Sequence, residues 1–314
     1  MIADMESVTT VARRQSFSRF VEVGNGRYHL RLWGREGAPL MVLLHGWMDV
    51  SASFQFLVDA LRGDWRVVAP DWRGFGLSTW QARPYWFPDY LADLDALLAV
   101  LSPDQPLPLV GHSMGGNVAC LYAGIRPERV SHLVSIEGFG LAATTPEEAP
   151  GRYLRWLGQM RDGMTSRKYD DRVALADRLM AQNPRLSRER AGFLAEHLGV
   201  AAEGGGFELA GDPWHRALNP VLYRLDEAMA CWRRVEAPTL WIGAADSFVM
   251  EAYARNPADY QRRKACFKSV QDVVFASGGH NIHHEQPELL AASIESFLCA
   301  SPGKGASDSR GACS

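Results

Sequence analysis

Residues 107–120 read LPLVGHSMGGNVAC, and this stretch decides the fold. A short apolar run is followed at once by a Gly-x-Ser-x-Gly turn and then by apolar residues at helical spacing. A buried strand, a sharp turn and a helix in that order place Ser113 at the apex of the turn, with its hydroxyl exposed. Gly111 and Gly115 suit the turn because larger side chains two residues from the serine would clash. The stretch predicts a nucleophilic serine between a strand and a helix.

Apolar runs of the same kind recur on both sides of this stretch. Continuous apolar runs are typical of strands buried on both faces of a parallel sheet, and amphipathic helical stretches separate them. Residues 20–23 and 28–33 instead alternate apolar with polar residues around a Gly-Asn-Gly turn, which predicts an antiparallel hairpin. The pattern predicts an α/β fold with a doubly wound, mostly parallel sheet. The predicted buried strands are residues 40–44, 66–69, 107–110, 130–136, 238–242 and 272–275.

The segment 138–236 breaks this alternation. It shows no convincing buried strand, and its apolar residues predict three amphipathic helices. Because an insert of this length far exceeds an ordinary loop, we expect a helical cap over the carboxyl edge of the sheet, where such sheets bind ligands. The core then comprises residues 17–137 and 237–300. The polar ends, residues 1–16 and 301–314, are expected to be disordered.

Composition and charge exclude several classes of protein. The chain has 314 residues and a formal net charge of −3, without the basic excess of a nucleic-acid-binding face. No run of about 18 apolar residues is present, so no membrane span is predicted, and without a signal-like apolar stretch we expect a cytoplasmic location. The five cysteines include no Cys-x-x-Cys pair, which argues against a disulfide framework and a zinc site. We predict no cofactor and no metal, and a small molecule as the ligand.

Several motifs, in their order along the chain, resemble the α/β-hydrolase family. The resemblance covers roughly residues 18–137 and 236–298, and the segment between them matches only in position and helicity. It implies an α/β-hydrolase fold with an inserted cap, and a catalytic serine, acid and histidine in that chain order. The motifs are LHGW (44–47), DWRGFGLS (71–78), GHSMG (111–115), GAAD (243–246), and GH (279–280) followed by HEQP (284–287).

The resemblance also implies a base and an acid for Ser113, whose hydroxyl is a poor nucleophile alone. His280 follows the last predicted strand through a glycine-rich loop, where the family places its base. Asp246 follows the strand predicted at 238–242, the family's usual position for the acid, and is the favoured choice. Glu137, at the end of strand 130–136, is the alternative because some members take their acid from that strand.

The oxyanion hole and pocket follow from the same resemblance. The backbone N–H groups of Trp47 and Met114 are expected to hold the oxyanion. Trp47 and Phe139 lie at predicted strand ends close to the serine and are expected to line the pocket. Since no cation cluster is visible in the sequence, the first hypothesis is a serine hydrolase that cleaves a small or medium, largely apolar carboxylic ester through an acyl-enzyme.

Two kinds of alternative remain open. A carbon–carbon bond hydrolase, lactonase, thioesterase or perhydrolase would use the same triad, because fold and triad do not separate these reactions. A non-catalytic ligand receptor that kept the fold is the alternative from a different class. Turnover by Ser113 would distinguish the two kinds.

Overall fold

The computed structural model describes residues 13–24 and 26–300. The tail predicted at 301–314 and most of the tail predicted at 1–16 lie outside the described residues, although Ser16 already begins the first strand. The strands are β1 (Ser16–Val23), β2 (Gly26–Trp33), β3 (Leu40–Leu44), β4 (Arg66–Pro70), β5 (Leu107–His112), β6 (Val130–Ile136), β7 (Gly199–Ala201), β8 (Phe207–Leu209), β9 (Thr239–Ala244) and β10 (Val270–Phe275).

Helices follow most of these strands, and none of the described helices is both long and apolar enough to cross a membrane. The helices are α1 (Gln55–Ala60), α2 (Phe87–Leu101), α3 (Met114–Ile125), α4 (Ala149–Asp162), α5 (Arg172–Gln182), α6 (Arg188–Leu198), α7 (Leu225–Trp232), α8 (Phe248–Arg255), α9 (Pro257–Lys264), α10 (Ile282–Glu285) and α11 (Pro287–Ala300).

Eight strands form one sheet in the order β1-β2-β4-β3-β5-β6-β9-β10. The first two strands pair antiparallel, β2 pairs antiparallel with β4, and the remaining neighbours are parallel. This confirms the predicted α/β fold with its hairpin at one edge. Strands β5, β6 and β9 are buried along their whole length, as their unbroken apolar runs predicted, because helices cover both faces.

The core is divided by the sheet into two layers. In β5, Leu109 packs into the layer formed with α2, α3 and α7, whereas Val110 packs into the layer formed with α1 and α11. The registers place Leu44 beside Gly111, and Ile136 beside both His112 and Ile242. The carboxyl ends of four parallel strands therefore meet at one edge, where α/β sheets bind their ligands.

The segment 138–236 leaves the sheet after β6 and returns before β9. The three amphipathic helices predicted there are α4, α5 and α6. The segment also contains the strands β7 and β8, which pair antiparallel and were not predicted. Each has three residues, too few to show the alternation that marks a strand.

The cysteines differ from one another in state. Cys120, Cys231 and Cys266 are free thiols, as expected. Cys299 is disulfide-bonded, which corrects the expectation for that residue.

Candidate active site

The strand–turn–helix at Ser113 has the geometry that the sequence predicted. Ser113 lies between β5 and α3 with φ of 51° and ψ of −113°, a backbone conformation that L-residues rarely adopt. A Cβ on Gly111 would lie 2.4 Å from the backbone of Gly115, and one on Gly115 would lie 2.1 Å from the carbonyl oxygen of Leu44. Both positions therefore need glycine, since the backbone has no room for a side chain.

His280 connects Ser113 to a carboxylate. Its Nε2 lies 2.9 Å from Ser113 Oγ, and its Nδ1 lies 3.2 Å from Glu137 Oε2. Because an ionised carboxylate can only accept, Nδ1 carries the proton and donates it to Glu137. That tautomer leaves the lone pair of Nε2 free to accept the hydrogen bond of the serine hydroxyl.

Glu137 is held firmly at the end of β6. Its side chain is fully buried, and Oε1 accepts a hydrogen bond of 2.7 Å from the backbone N–H of Ala244. Its backbone has φ of 56°, and its own N–H donates to the carbonyl of Ile242 at 2.8 Å. Each carboxylate oxygen thus has a partner, and the neighbouring strand β9 supplies one of the two.

The structure contradicts Asp246 as the acid. Its side chain is 46% exposed, and Oδ2 accepts hydrogen bonds from Arg185 Nη2 at 2.7 Å and Gly278 N at 3.2 Å. The physical reason is the length of β9, which continues to Ala244 instead of ending at residue 242. Asp246 therefore lies in the turn beyond the sheet, where it faces Arg185, while Glu137 occupies the position against His280.

Two further side chains fix His280. His112 Nε2 lies 2.8 Å from the carbonyl oxygen of His280, and the ring of Phe248 lies 4.4 Å from the His280 ring, centroid to centroid. Burial lowers the pKa of His112 well below its usual value, so the neutral ring donates from Nε2. Sequence reasoning missed both residues, because the GHSMG motif assigns roles to Ser113 and its glycines but none to His112, and Phe248 lies outside every motif.

The loop after β3 lies against the serine turn, since a Cβ on Gly46 would lie 3.3 Å from Ser113 Cβ. Trp72 N donates to His45 Nε2 at 2.9 Å, so His45 Nδ1 carries the ring proton and donates to the Gly46 carbonyl at 2.8 Å. In a trans peptide the following N–H points away from that carbonyl, which turns the N–H of Trp47 away from the buried His45. Met114 is the first residue of α3, where N–H groups have no partner within the helix.

A cavity of about 400 Å³ opens at Ser113 and His280, within the range of small-molecule sites. Residues of the segment 138–236 form much of its wall. Trp47 lines it, as expected. The remaining lining residues are Gly46, Met48, Asp49, His112, Arg167, Tyr169, Arg178, Leu179, Gln182, Asn183, Leu186, Leu194, Leu198, Leu209, Arg216, Asn281 and His284.

Phe139 does not line this cavity, which corrects the second pocket residue. It is only 2% exposed. Its ring lies 5.4 to 5.8 Å from those of Trp232, Trp241 and Phe267, centroid to centroid. The side chain lies in the core layer of α3 and α7, so closeness to a strand end did not place it on the ligand side.

The polar part of the wall also differs from expectation. The sequence showed no cation cluster, but the fold brings Arg167, Arg178 and Arg216 to one cavity. They were missed because they are far apart along the chain and belong to no motif. Five leucines, at 179, 186, 194, 198 and 209, form the apolar part of the wall.

One buried group near the cavity could hold a metal ion. Potential ligand atoms of Asp49, His283 and His284 lie within 4.8 Å of one another, and His283 Nε2 is 3.6 Å from Asp49 Oδ2. Asp49 Oδ2 also accepts a hydrogen bond of 2.7 Å from Ser53 Oγ. The sequence predicts no metal, and Asp49 approaches the two histidines only through the fold.

Comparison with known proteins agrees with this geometry. A sequence model of the alpha/beta hydrolase fold matches residues 39–287. A serine hydrolase-like protein of Danio rerio is 30% identical, with 92% of this chain and 91% of that protein covered. A sn-1-specific diacylglycerol lipase of Mus musculus is 27% identical over 83% of this chain and 81% of its own. The thioesterase domain from the curacin biosynthetic pathway has a TM-score of 0.80 and 27% identity, with 90% and 99% covered.

Fold, serine turn and relatives together define a serine hydrolase on an α/β sheet. The chain belongs to the α/β-hydrolase fold family, whose motifs span most of its length.

Proposed function

We propose that this serine hydrolase cleaves a carboxylic ester or thioester through an acyl-enzyme on Ser113. The observation that carries the proposal is His280, whose two ring nitrogens lie within hydrogen-bonding distance of Ser113 Oγ and of the buried Glu137 carboxylate. A serine hydroxyl next to an oriented imidazole is the arrangement that activates it for attack on a carbonyl.

The reaction proceeds in two halves. Ser113 Oγ attacks the carbonyl carbon as His280 Nε2 takes its proton, and His280 then returns the proton to the leaving alcohol or thiol. In the second half, water loses a proton to His280 Nε2 as it attacks the acyl-enzyme, and Ser113 recovers that proton when the acid leaves. Glu137 takes up no proton during the cycle. It orients the His280 ring through Nδ1–H and stabilises the imidazolium that forms twice in each cycle.

The N–H groups of Trp47 and Met114 are proposed as the oxyanion hole. His45 supports this role for Trp47, because its hydrogen bond to the Gly46 carbonyl sets the orientation of the peptide that carries the Trp47 N–H. The N-terminus of α3 supports it for Met114, because a free N–H and the positive end of the helix dipole both favour developing negative charge.

The segment 138–236 is proposed as a cap that selects the substrate. Its residues line the cavity together with Ser113 and His280, so a ligand at the serine contacts both parts. The cavity volume fits an acyl group of small or medium size. A lipase and a thioesterase stand among the similar proteins, so the relatives leave ester and thioester chemistry equally open.

The test combines labelling with turnover. The wild-type protein is treated with a fluorophosphonate probe and assayed on short- and medium-chain p-nitrophenyl esters, beside Ser113→Ala and Ser293→Ala. We expect labelling and a burst of p-nitrophenol in the wild type and in Ser293→Ala, a serine of α11 whose hydroxyl donates to the Leu289 carbonyl. Ser113→Ala should lose labelling, and its kcat should fall on the order of 10⁴- to 10⁶-fold.

The opposite result has a definite meaning. A folded wild type that neither labels nor turns over any ester or thioester would contradict the proposal and favour the ligand-receptor alternative. Turnover that persists in Ser113→Ala would show that another group carries the chemistry.

A further inference from the structure

Three arginine side chains line the cavity that contains Ser113. Arg178 and Arg216 are half-buried, and Arg167 is more exposed. Throughout residues 13–24 and 26–300, none of the three guanidinium groups has an ion pair or a hydrogen bond with another residue. The guanidinium carbon of Arg167 lies 5.3 Å from the centre of the Tyr169 ring. Most arginines elsewhere in the protein that are this buried have a carboxylate or carbonyl partner, as Arg263 does.

The wall offers one opposing charge to the three arginines. Among the described lining residues the one acidic side chain is Asp49. Its Oδ1 accepts the Val50 N–H at 2.9 Å and its Oδ2 accepts Ser53 Oγ at 2.7 Å. Asp49 is therefore already engaged, and the cavity keeps an excess of positive charge. Like charges in a partly buried space repel one another, so an anion that enters relieves an unfavourable interaction as well as making new ones.

Arg216 is fixed by the turn that carries it. A 3₁₀ turn, Pro213–Arg216, is capped by Asp212, which accepts hydrogen bonds from Trp214 N at 3.0 Å and from Tyr85 Oη at 2.8 Å. The ring of His215 is stacked between those of Phe75 and Tyr85 at 3.7 Å from each. The backbone at Arg216 is thus held before any ligand arrives, which lowers the entropic cost of binding.

Arg178 lies on the inner side of α5, beside an apolar surface. Leu175 and Ala176 of the same helix are buried in a cluster with α6, which fixes the backbone of α5. Leu179 follows Arg178 and lines the cavity with the other leucines. The wall therefore combines an apolar surface with cations, a pairing that fits a short apolar chain ending in a negative group.

We propose that the cavity selects an ester or thioester that also carries a carboxylate or a phosphate group. Arg178 and Arg216 hold this anionic group, and Arg167 lies at the rim of the cavity. This inference rests on the proposed function of Ser113. The guanidinium group suits the role because its planar set of N–H donors matches the oxygens of a carboxylate or phosphate in pairs. The proposed substrate is therefore partly apolar and partly charged, whereas the sequence predicted a largely apolar one.

The first experiment compares substrates that differ only in charge. The acyl side is tested with the 4-methylumbelliferyl monoester of adipic acid against 4-methylumbelliferyl hexanoate. The leaving-group side is tested with the hexanoate of 7-hydroxycoumarin-4-acetic acid against the same neutral hexanoate. We expect one of the two anionic esters to have kcat/KM about 10- to 100-fold above the neutral one, the advantage of a charge-assisted pair. The arm that shows the gain locates the anion.

Variants then connect the preference to the arginines. Arg178→Gln and Arg216→Gln should each reduce the charge preference about tenfold, chiefly through a higher KM for the anionic ester. Arg216→Lys should retain part of the preference, since it keeps the charge and loses the paired donors. The matched control is Arg19→Gln, which removes an exposed arginine of β1 that lies outside the cavity and has no partner among the described residues. Added salt should reduce the preference in the wild type.

Binding without turnover separates this inference from the proposed function. In Ser113→Ala, adipate should raise the melting temperature, and it should fail to do so once Arg178→Gln or Arg216→Gln is added. If Ser113 labels but the neutral ester is preferred and the arginine variants change nothing, the anion site is wrong and the hydrolase function stands. If Ser113 does not label, the adipate shift still decides: a shift lost in the arginine variants supports the anion site, and its absence in Ser113→Ala overturns it.

Discussion

Helix α3 and helix α4 are similar in length and differ sharply in burial. Eight of the twelve residues of α3, which follows Ser113, are buried. None of the fourteen residues of α4, which opens the segment 138–236, is buried, and Leu154 is 72% exposed. The helix beneath the nucleophile is therefore held by the core on most of its surface, whereas α4 is held on one side at most.

Polar groups on the two sides of the cavity differ in the same way. On the sheet side, both oxygens of Glu137 and both ring nitrogens of His280 have partners. On the side of the segment 138–236, the guanidinium groups of Arg178 and Arg216 have none among the described residues. Groups that must be positioned for chemistry are satisfied within the protein, and groups that recognise a ligand are left for the ligand to satisfy. We infer that the sheet edge determines the reaction and the inserted segment determines the substrate.

The first prediction about the two sides tests the sheet side with two carboxylates. Glu137→Gln should lower kcat about 10³- to 10⁴-fold, because an amide can present N–H to His280 Nδ1 and no longer fixes the reactive tautomer. Asp246→Asn should change kcat less than about threefold, since an exposed ion pair such as Asp246–Arg185 contributes little. The measurement is kcat on one ester for both variants and the wild type, with circular dichroism to verify the fold.

The opposite order of kcat losses in the two variants would contradict the comparison between the two sides of the cavity. A larger loss in Asp246→Asn than in Glu137→Gln would mean that the acid exchanges its position during turnover. The distances at His280 would then describe only a resting arrangement.

A second prediction compares one glycine from each side. Gly111→Ala should destabilise the protein by about 3 kcal/mol or more, because the new methyl group would lie 2.4 Å from the Gly115 backbone and the turn cannot relax. Gly158→Ala, in α4, meets nothing within 4 Å and should stabilise the helix by about 0.5 to 1 kcal/mol. Urea unfolding of both variants gives the two free energies of unfolding. Equal effects at the two positions would show that α4 is as tightly packed as the serine turn.

The sequence predicted the sheet side well because its signals are local. A buried strand is a run of adjacent apolar residues, and the serine turn needs two glycines at fixed offsets from Ser113. The hairpin, the six strands predicted as buried and the three helices of the segment 138–236 all follow from such short patterns, with ends displaced by up to four residues. The strand predicted at 272–275 forms as β10, but at the edge of the sheet it is largely exposed instead of buried. One displaced end had a consequence, since the extension of β9 to Ala244 decides between Glu137 and Asp246.

The sequence could not predict contacts that depend on several distant segments. Arg178 and Arg216 share a cavity only because α5 and the turn after β8 converge on Ser113. Phe139 follows Gly138, and the direction of its side chain depends on the space that Trp232 and Trp241 leave for the ring. Asp49 and Phe248 lie outside every motif, and the motif that contains His112 does not show what its ring contacts. Neighbourhoods of this kind are properties of packing, which periodicity does not encode.

The last prediction concerns the residue that joins the two sides. His215, from the segment 138–236, stacks on Phe75 of the core, and its Nε2 lies 3.2 Å from the carbonyl oxygen of Arg73. Burial lowers the pKa of His215 to about 3. In the unfolded chain the group titrates near its ordinary value of about 6.5, so between these two pH values the unfolded state binds a proton that the folded state does not.

Stability from this group is therefore fully present above about pH 6.5 and is lost as the pH falls towards 3, by roughly 2 kcal/mol between pH 6.5 and 5. His215→Phe keeps the stacking and cannot titrate, so its free energy of unfolding should fall less steeply over that range. His45, His112 and His284 also have lowered pKa values and titrate in the same sense, so the measured quantity is the difference between the two proteins in urea unfolding from pH 7 to 5. Parallel curves would mean that His215 is hydrated in solution and that the segment 138–236 separates readily from the core. If the free energies of unfolding of the two proteins converge as the pH falls, the two sides of the cavity are joined by a contact that requires a neutral imidazole.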